Sequence, residues 1–317
     1  MKRPLKLLGM LAAAAMPLVG LGDGDGAAVA ISTRASSDYV RPQLPDGAFQ
    51  AETFVFGKGG VWAGVAKDPT IDKMDFMEVA RTVASPLARQ GYISGRDPKA
   101  TKLLIMVYWG TTHAPEHATD SIASQNLQVA NEAALAENRA QVAHFNPADS
   151  MAPTQMSQSS ATSYAIRSPD QIDADNAMTG AMAAVSAEDR AREQADARNA
   201  SMLGYGAAWD QAVSYKGTAL DFRRKELVDE LEEGRYFVVL MAYDFHLMWK
   251  EKKAKLLWEA RYSIRTRGND FGKQLAAMTQ EASKYFGQNS GGIVRKALPA
   301  GHVEIGEQKV LDYGSAK

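Results

Sequence analysis

The chain of 317 residues contains no cysteine. This absence excludes disulfide bonds, iron–sulfur clusters, thiolate zinc sites, a cysteine nucleophile and a lipid attached through an N-terminal cysteine. The chain also lacks an excess of either charge, because 36 Lys and Arg residues balance 37 Asp and Glu residues to a net charge of −1. We therefore expect no general attraction to nucleic acid or to anionic membranes.

Sequence motifs of common enzyme classes are missing too. The sequence contains no serine nucleophile elbow, no P-loop and no glycine fingerprint for a dinucleotide. The stretch Gly57-Lys-Gly-Gly60 lacks the P-loop spacing and is typical of a turn. We therefore expect a non-enzymatic protein without a cofactor.

A long apolar run occurs only at the N-terminus. The basic residues Lys2, Arg3 and Lys6 precede it. The run, residues 7–21, contains Pro17 and is shorter than the roughly 20 residues that a membrane span needs. Small residues follow, so the pattern predicts a signal peptide over residues 1–22, with cleavage after Gly22 or as late as Ala30. A retained anchor is the alternative. We expect a soluble protein exported to the periplasm or secreted.

Composition divides the remaining chain into four parts. Residues 23–51 are rich in Gly, Ala, Ser, Asp and Pro, which predicts a flexible linker. Residues 52–112 and 218–290 carry the apolar patterns of a single α+β domain. Residues 113–217 form a helical and low-complexity insertion within that domain. Residues 291–317 form a C-terminal tail, in which residues 303–305 could add an edge strand.

The domain is organised around residues 235–268. Residues 236–249 and 256–264 read as two strands of a long antiparallel hairpin. The continuous apolar run 103–109 predicts a central companion strand, residues 53–56 a first strand, and residues 72–90 and 269–286 covering helices. The predicted fold is α+β: an antiparallel or mixed sheet with helices packed on one face, interrupted by a long helical and partly disordered insertion.

Within the insertion, residues 120–145 favour a helix, and residues 151–180 have the low complexity of a disordered segment. Residues 186–203 favour a charged, solvated helix. A further helix is predicted over residues 218–233. It ends in Glu230, Glu232 and Glu233, which oppose the helix dipole at a small cost in stability.

Several segments of the sequence resemble those of one protein family. They are the strand at 53–56, Leu87-Ala-Arg-Gln-Gly-Tyr92, the strand at 103–112, Asp244, Leu257-Trp258 and a closing helix. Together they are similar to the exported envelope proteins of the domain of unknown function 4136 family, over about residues 50–112 and 235–290. The resemblance implies the fold and an envelope location, and it brings no established activity. Many members carry a lipid-attachment cysteine and lack so long an insertion, so this chain departs from them in both respects.

One short motif has the spacing of a zinc enzyme. His113, Glu116 and His117 match H-x-x-E-H, in which two imidazoles four residues apart hold a metal and the glutamate activates water. Pro115 would disrupt a helix there, so a surface loop is the simpler interpretation and adventitious metal binding is another. We assign no metal site, and a metal-dependent hydrolase stays an alternative function.

The hairpin contains two further candidates. Asp244 and His246 would share a strand face as a polar pair. Residues 250–255, here called the lysine turn, contain Lys250, Lys252, Lys253 and Lys255 beside clustered aromatic residues. Solubility and protection against edge pairing explain such lysines simply, and binding to an anionic surface is the alternative. We expect an envelope protein partner, with the insertion as the interaction element, and no nucleic acid.

Overall fold

The computed structural model describes residues 27–62, 68–112, 121–144 and 169–298. Within them, seven strands form one mixed sheet in the order β3-β2-β4-β5-β6-β1-β7. The strands are β1 (Ala28–Ala35), β2 (Glu52–Trp62), β3 (Tyr92–Ser94), β4 (Leu103–Thr111), β5 (Arg235–Asp244), β6 (Leu256–Arg265) and β7 (Val294–Ala297). The helices are α1 (Pro69–Asp72), α2 (Phe76–Arg89), α3 (Ile122–His144), α4 (Pro169–Leu203), α5 (Gly206–Val213), α6 (Asp221–Glu232) and α7 (Phe271–Ser283). The predicted α+β class is confirmed.

The central hairpin has the predicted partners. Strand β5 pairs antiparallel with β6 and with β4, while β2 pairs parallel with β4. The first strand of the hairpin is shorter than predicted and ends at Asp244 instead of residue 249. There the Asp244 carboxylate accepts the Leu247 N–H at 3.0 Å and turns the chain into a π-helical segment, Leu247–Glu251. Side chains from Phe245 onward therefore leave the sheet.

Strand β2 runs through the glycines that were expected to end it. An added Cβ at Gly57 would lie 2.3 Å from Met106 Sδ, and one at Gly59 would lie 2.5 Å from the Tyr108 ring. The glycines therefore leave room for side chains of the neighbouring β4 to lie across β2. A bulge between Lys58 and Gly60, with φ +124° at Gly60, accommodates the extra residue.

The predicted linker over residues 23–51 is wrong for its described part. Strand β1 lies inside the sheet between β6 and β7, and its Val29 and Ile31 are fully buried. Residues 36–50 are also held in place. The Arg41 guanidinium lies between the rings of Phe49 and Tyr92, 4.6 Å and 4.1 Å from their centroids. The stretch is rich in small residues because β1 needs little volume, so composition alone misrepresents it.

The predicted tail also contributes to the sheet. Residues 294–297 form β7, which pairs antiparallel with β1 as an edge strand. The segment proposed for that position, residues 303–305, lies outside the described residues. The described part of the single domain therefore extends from β1 to β7, beyond the limits 52–290 that we predicted.

Helices α2 and α7 cover one face of the sheet, as predicted. Val79, Val83 and Leu87 of α2 are fully buried with Leu275 and Met278 of α7. Burying each such side chain contributes roughly 1.5–3 kcal/mol relative to its exposure. The helix starts differ slightly from the prediction. The carboxylates of Asp75 and Asp270 each accept a backbone N–H three residues later and fix the first turns.

The C-terminal part of the insertion covers a portion of the other face. Leu203, Tyr205 and Trp209 pack with Leu231 against Phe237 of β5. The solvated helix predicted for residues 186–203 is therefore wrong at its C-terminal end. Residues 169–180, predicted to be disordered, are helical because α4 begins at Pro169, and residues 151–168 lie outside the described ranges. In the part of the chain that is described, no helix combines the length and apolarity needed to cross a bilayer.

Candidate binding surfaces

The candidate metal ligands lie outside the residues that the structure describes. His113, Glu116 and His117 lie in the gap between residues 112 and 121. In the ranges that are described, no group of three or more His, Asp or Glu side chains is placed to hold a metal ion. The hydrolase therefore stays a prediction, testable by the zinc content of the purified protein and of its His117→Ala variant.

The predicted polar pair in the hairpin is wrong. Asp244 ends β5, whereas His246 lies in the helical turn that follows and does not share a strand face with it. The Asp244 carboxylate is occupied by the Leu247 N–H, and the His246 ring contacts Phe245 edge to face at 6.3 Å. The Asp244 side chain therefore shapes the turn that follows β5.

The two long helices of the insertion form an arm. We use this name for α3 together with α4. Helix α3 packs extensively on α4. The groove between them is lined mostly by small residues: Asn126, Val129, Ala130, Ala133, Ala177, Gly180, Ala181 and Ala184.

The arm leaves large apolar side chains in solvent. The exposed ones are Ile122 (74%), Val129 (65%), Leu135 (47%), Ile172 (47%) and Met182 (51%). Ile122 and Val129 are seven residues apart and so lie on the same side of α3. With α3's rise of about 1.5 Å per residue, its 23 residues extend roughly 35 Å. The arm is therefore long and exposes apolar side chains along its length.

A partly buried ionic network joins the sheet to the C-terminal end of α4 and the residues that follow it, a region that we call the arm root. Glu230 at the end of α6 lies 3.5 Å from Arg235 Nη1 of β5, accepts the Tyr205 hydroxyl at 2.6 Å and pairs with Arg295 of β7. Burial opposes ionisation of Glu230, but the Arg295 hydrogen bond and the Arg235 charge keep its pKa below the ordinary value. Burial also raises the pKa of the Tyr205 hydroxyl.

A second set of contacts at the root joins α4 to α6. Asn199 donates to the Leu231 carbonyl at 3.2 Å, and Arg192 lies 3.6 Å from Glu232. Asp196 lies beside them and is 3% exposed. Burial, with the nearby Glu232 charge, raises the pKa of Asp196 to about 6. The root thus holds one carboxyl group that titrates near neutral pH.

These root residues were not identified as a site from the sequence. The signal was present in the glutamates at the end of α6, which oppose the helix dipole. Each one has an arginine partner: Arg235 and Arg295 for Glu230, Arg192 for Glu232, and Arg265 for Glu233 at 3.5 Å. The partners come from α4, β5, β6 and β7, and all of them except Arg235 lie too far along the chain for sequence spacing to reveal the pairs.

The lysine turn lies at the opposite end of the sheet from the arm. Strand β5 connects them, because its Arg235 end contacts the arm root and its Asp244 end leads into the turn. Ten residues of strand span about 30 Å. Trp249, immediately before the lysine turn, is 45% exposed, and Phe245 lies 6.0 Å from it between ring centroids. The two candidate surfaces can therefore be altered independently.

Only some lysines of this turn have acidic partners. Lys253 lies 3.0 Å from Glu251, and Lys255 pairs with Asp38. The bond with Lys255 lowers the pKa of Asp38 to about 2. Lys252 Nζ donates to the Trp249 carbonyl at 3.1 Å, which leaves its charge without an acidic partner in the described ranges. Lys250 is exposed and has no ion pair there either.

Comparisons with known proteins provide little beyond this geometry. No protein-family model matches the chain, and no curated protein matches it. One similar solved structure is a PDZ domain protein from Parabacteroides distasonis, with 11% sequence identity and a TM-score of 0.35. The match covers 85% of this chain and 39% of that protein. A similarity this low carries no argument about function.

Proposed function

We propose that this chain is an exported, non-enzymatic envelope protein that binds a protein partner through its arm. The observation that carries the proposal is that α3 packs extensively on α4 while its Ile122 and Val129 are left in solvent. A two-helix arm that buries mostly alanine gains little from packing, whereas a partner would cover its exposed apolar side chains.

The root network supports this role. The arginine contacts of Glu230 and Glu232, together with the packing of Leu203 and Trp209, fix the base of α4 on the sheet. A rigid base holds the arm in one direction, so a partner does not have to order the whole insertion on binding. The sheet thereby serves as a platform for a binding element.

Export is supported by the predicted leader over residues 1–22. Cleavage after Gly22 leaves β1 intact, whereas cleavage after Ala30 would remove the first three residues of the strand, including the buried Val29. The earlier site is therefore the one compatible with the folded sheet. The resemblance to the domain of unknown function 4136 family supports the same compartment.

Substitution of exposed arm residues tests the proposal better than deletion of residues 113–217. Such a deletion would also remove Leu203 and Trp209, which pack on the sheet. We would purify the exported protein with its partners, and compare it with an Ile122→Glu/Val129→Glu variant. Because both side chains are exposed, the variant should fold and lose the partner.

The matched control is Val40→Glu. Val40 is 79% exposed and lies in the segment between β1 and β2, away from the insertion. We expect it to retain the partner. Retention of the same partner by the Ile122→Glu/Val129→Glu variant would contradict binding through the arm, and so would loss of that partner in the control.

A further inference from the structure

We propose that the lysine turn and the aromatic residues before it dock this protein on an anionic lipid bilayer. This inference is independent of the arm, which lies at the other end of β5. It concerns residues 245–255, which connect β5 to β6. The chain has almost no net charge, so the cations concentrated at this end have to produce any attraction locally.

The surface combines charge with apolar side chains. Trp249 is 45% exposed, and the preceding Phe245, Leu247 and Met248 are half-buried. Tryptophan at the border between water and hydrocarbon places its ring among the headgroups and keeps its N–H in a polar layer. An exposed tryptophan that leads directly into a lysine-rich segment fits that interface.

The local cations exceed the carboxylates that could neutralise them. Four lysines and two carboxylates lie within residues 244–255, and one of those carboxylates, Asp244, is occupied by a backbone N–H. Asp38 adds one further carboxylate, which pairs with Lys255. A fifth lysine joins them, because the Lys102 carbonyl accepts the Phe245 N–H at 2.9 Å. Lys102, Lys250 and Lys252 are exposed, and none has an acidic partner in the described parts of the chain.

The backbone presents these groups at the tip of the hairpin. Residues 247–251 form a π-helical turn, and Lys252 adopts a left-handed conformation with φ +56°. A non-glycine residue in that region costs free energy and needs a local reason. Here the Lys252 side chain folds back to the Trp249 carbonyl, and the turn carries Trp249 and Lys250 outward together.

A bilayer fits this surface better than a nucleic acid does. Binding to single-stranded nucleic acid uses several aromatic faces along a basic groove. This turn presents one exposed ring above aliphatic side chains, and those side chains suit the acyl–headgroup boundary. Each lysine near an anionic membrane contributes enough attraction for a roughly fivefold change in binding.

The test measures binding of the full chain, as recovered from expressing cells, to sedimenting vesicles. One vesicle contains neutral phosphatidylcholine alone, and the other contains in addition about a third of an anionic phospholipid. We expect binding to the anionic vesicle only, weakened by salt because the Debye length shrinks from about 10 Å at 0.1 M to about 3 Å at 1 M. Equal binding to both vesicles would overturn the proposal.

Variants then locate the contact. Lys250→Glu/Lys252→Glu should reduce binding by at least about 25-fold, since each of two lysines contributes roughly fivefold. Lys296→Glu on the exposed β7, at the other end of the sheet, should leave binding unchanged. Because all three chains share the same N-terminus, any membrane affinity of the leader cancels in the comparison. Equal binding of the three chains would contradict docking through this turn.

Tryptophan emission separates a bilayer contact from simple attraction between charges. Lipids brominated in the acyl chain should quench emission, and Trp249→Phe should abolish the quenching. The matched control, Trp62→Phe, changes a tryptophan of similar exposure, 38%, at the arm end of the sheet, and quenching should persist. Quenching that survives Trp249→Phe, or equally tight binding to a soluble polyanion such as heparin, would refute the bilayer as the partner.

Discussion

Arg235 Nη1 lies 3.5 Å from Glu230 Oε1, and the pair spans the short turn that connects α6 to β5. Arg235 is 3% exposed, and it also donates to the Ser263 hydroxyl at 3.0 Å. The pair thus joins the arm root to the middle of the sheet. A buried charge depends on its partner, because removal of one member leaves the other uncompensated.

We predict that Glu230→Gln destabilises the fold by about 2 kcal/mol. Breaking a fully buried pair costs about 3–5 kcal/mol. Glu230 keeps some solvent exposure, so we expect a loss below that range. Glutamine retains an acceptor for the Tyr205 hydroxyl but no charge for Arg235 and Arg295. Urea unfolding at neutral pH measures the change in the free energy of unfolding.

Glu233→Gln is the control for this change, because Glu233 pairs with Arg265 on the surface. Exposed pairs contribute about 0–1 kcal/mol, so we expect a small effect. The pKa of Glu230 is lowered in the folded protein, and its contribution is therefore lost as pH falls through the folded pKa. Equal losses for both variants would contradict a special role for the buried pair.

Asp196→Asn should have the opposite effect, and only at higher pH. The pKa of Asp196 rises from 3.8 to about 6 on folding, so the folded protein binds the proton more tightly. Its stabilising contribution is complete below the unfolded pKa and lost as pH rises through about 6. We expect asparagine to stabilise the protein by about 1–2 kcal/mol at pH 8 and hardly at all at pH 3.5. Each unit of pKa shift can change the free energy of unfolding by at most about 1.4 kcal/mol.

Thermal unfolding at the two pH values measures this difference. Asp189→Asn removes an exposed carboxylate from the same helix and should change stability equally little at both. A gain of the same size at both pH values for Asp196→Asn would show that ionisation is not the cause. The expected pattern would identify the α4–α6 contact as the pH-sensitive part of the arm root.

The sequence predicts the hairpin and its two covering helices because their apolar patterns are continuous and local. It misses β1 because alternating alanine and valine in a glycine-rich segment resemble a linker, and the partner strand β6 lies more than two hundred residues away. The partners Arg192 and Arg295 are missed for a similar reason, because they come from α4 and β7 and lie far along the chain from Glu232 and Glu230. Spacing along a helix reveals a shared face, but it does not reveal which distant strand packs beneath.

The end of β5 shows a second limit of predicting structure from the sequence. Residues 236–249 alternate well enough to predict a strand throughout. The structure ends the strand at Asp244 because its carboxylate captures a backbone N–H. A polar side chain that competes for the backbone is a weak signal within an apolar run, yet it decides where the sheet stops. This choice also places Trp249 and the lysine turn outside the sheet.

Two glycines should respond to alanine with opposite signs. An added methyl at Gly59 would lie 2.5 Å from the Tyr108 ring, so Gly59→Ala should destabilise the protein by about 1–3 kcal/mol through overpacking. Gly180 lies within α4 and has open space around its Cβ position. Gly180→Ala should stabilise by about 0.5–1 kcal/mol, because alanine favours the helix. Chemical unfolding of both variants checks the signs, and a neutral Gly59→Ala would contradict close packing of β4 across β2.

The position of β1 gives a prediction about processing. A mature chain that begins at Asp23 retains the whole strand, whereas one that begins at Ile31 loses Ala28, Val29 and Ala30, which pair with β7. Val29 is fully buried, and losing a buried valine alone removes roughly 1.5–3 kcal/mol. We therefore expect the intact mass of the exported protein to correspond to cleavage near Gly22.

A chain expressed from Ile31 should be less stable by several kcal/mol than one from Asp23, by the same burial argument. A stable exported product that begins at Ile31 would show that the sheet does not need the first half of β1.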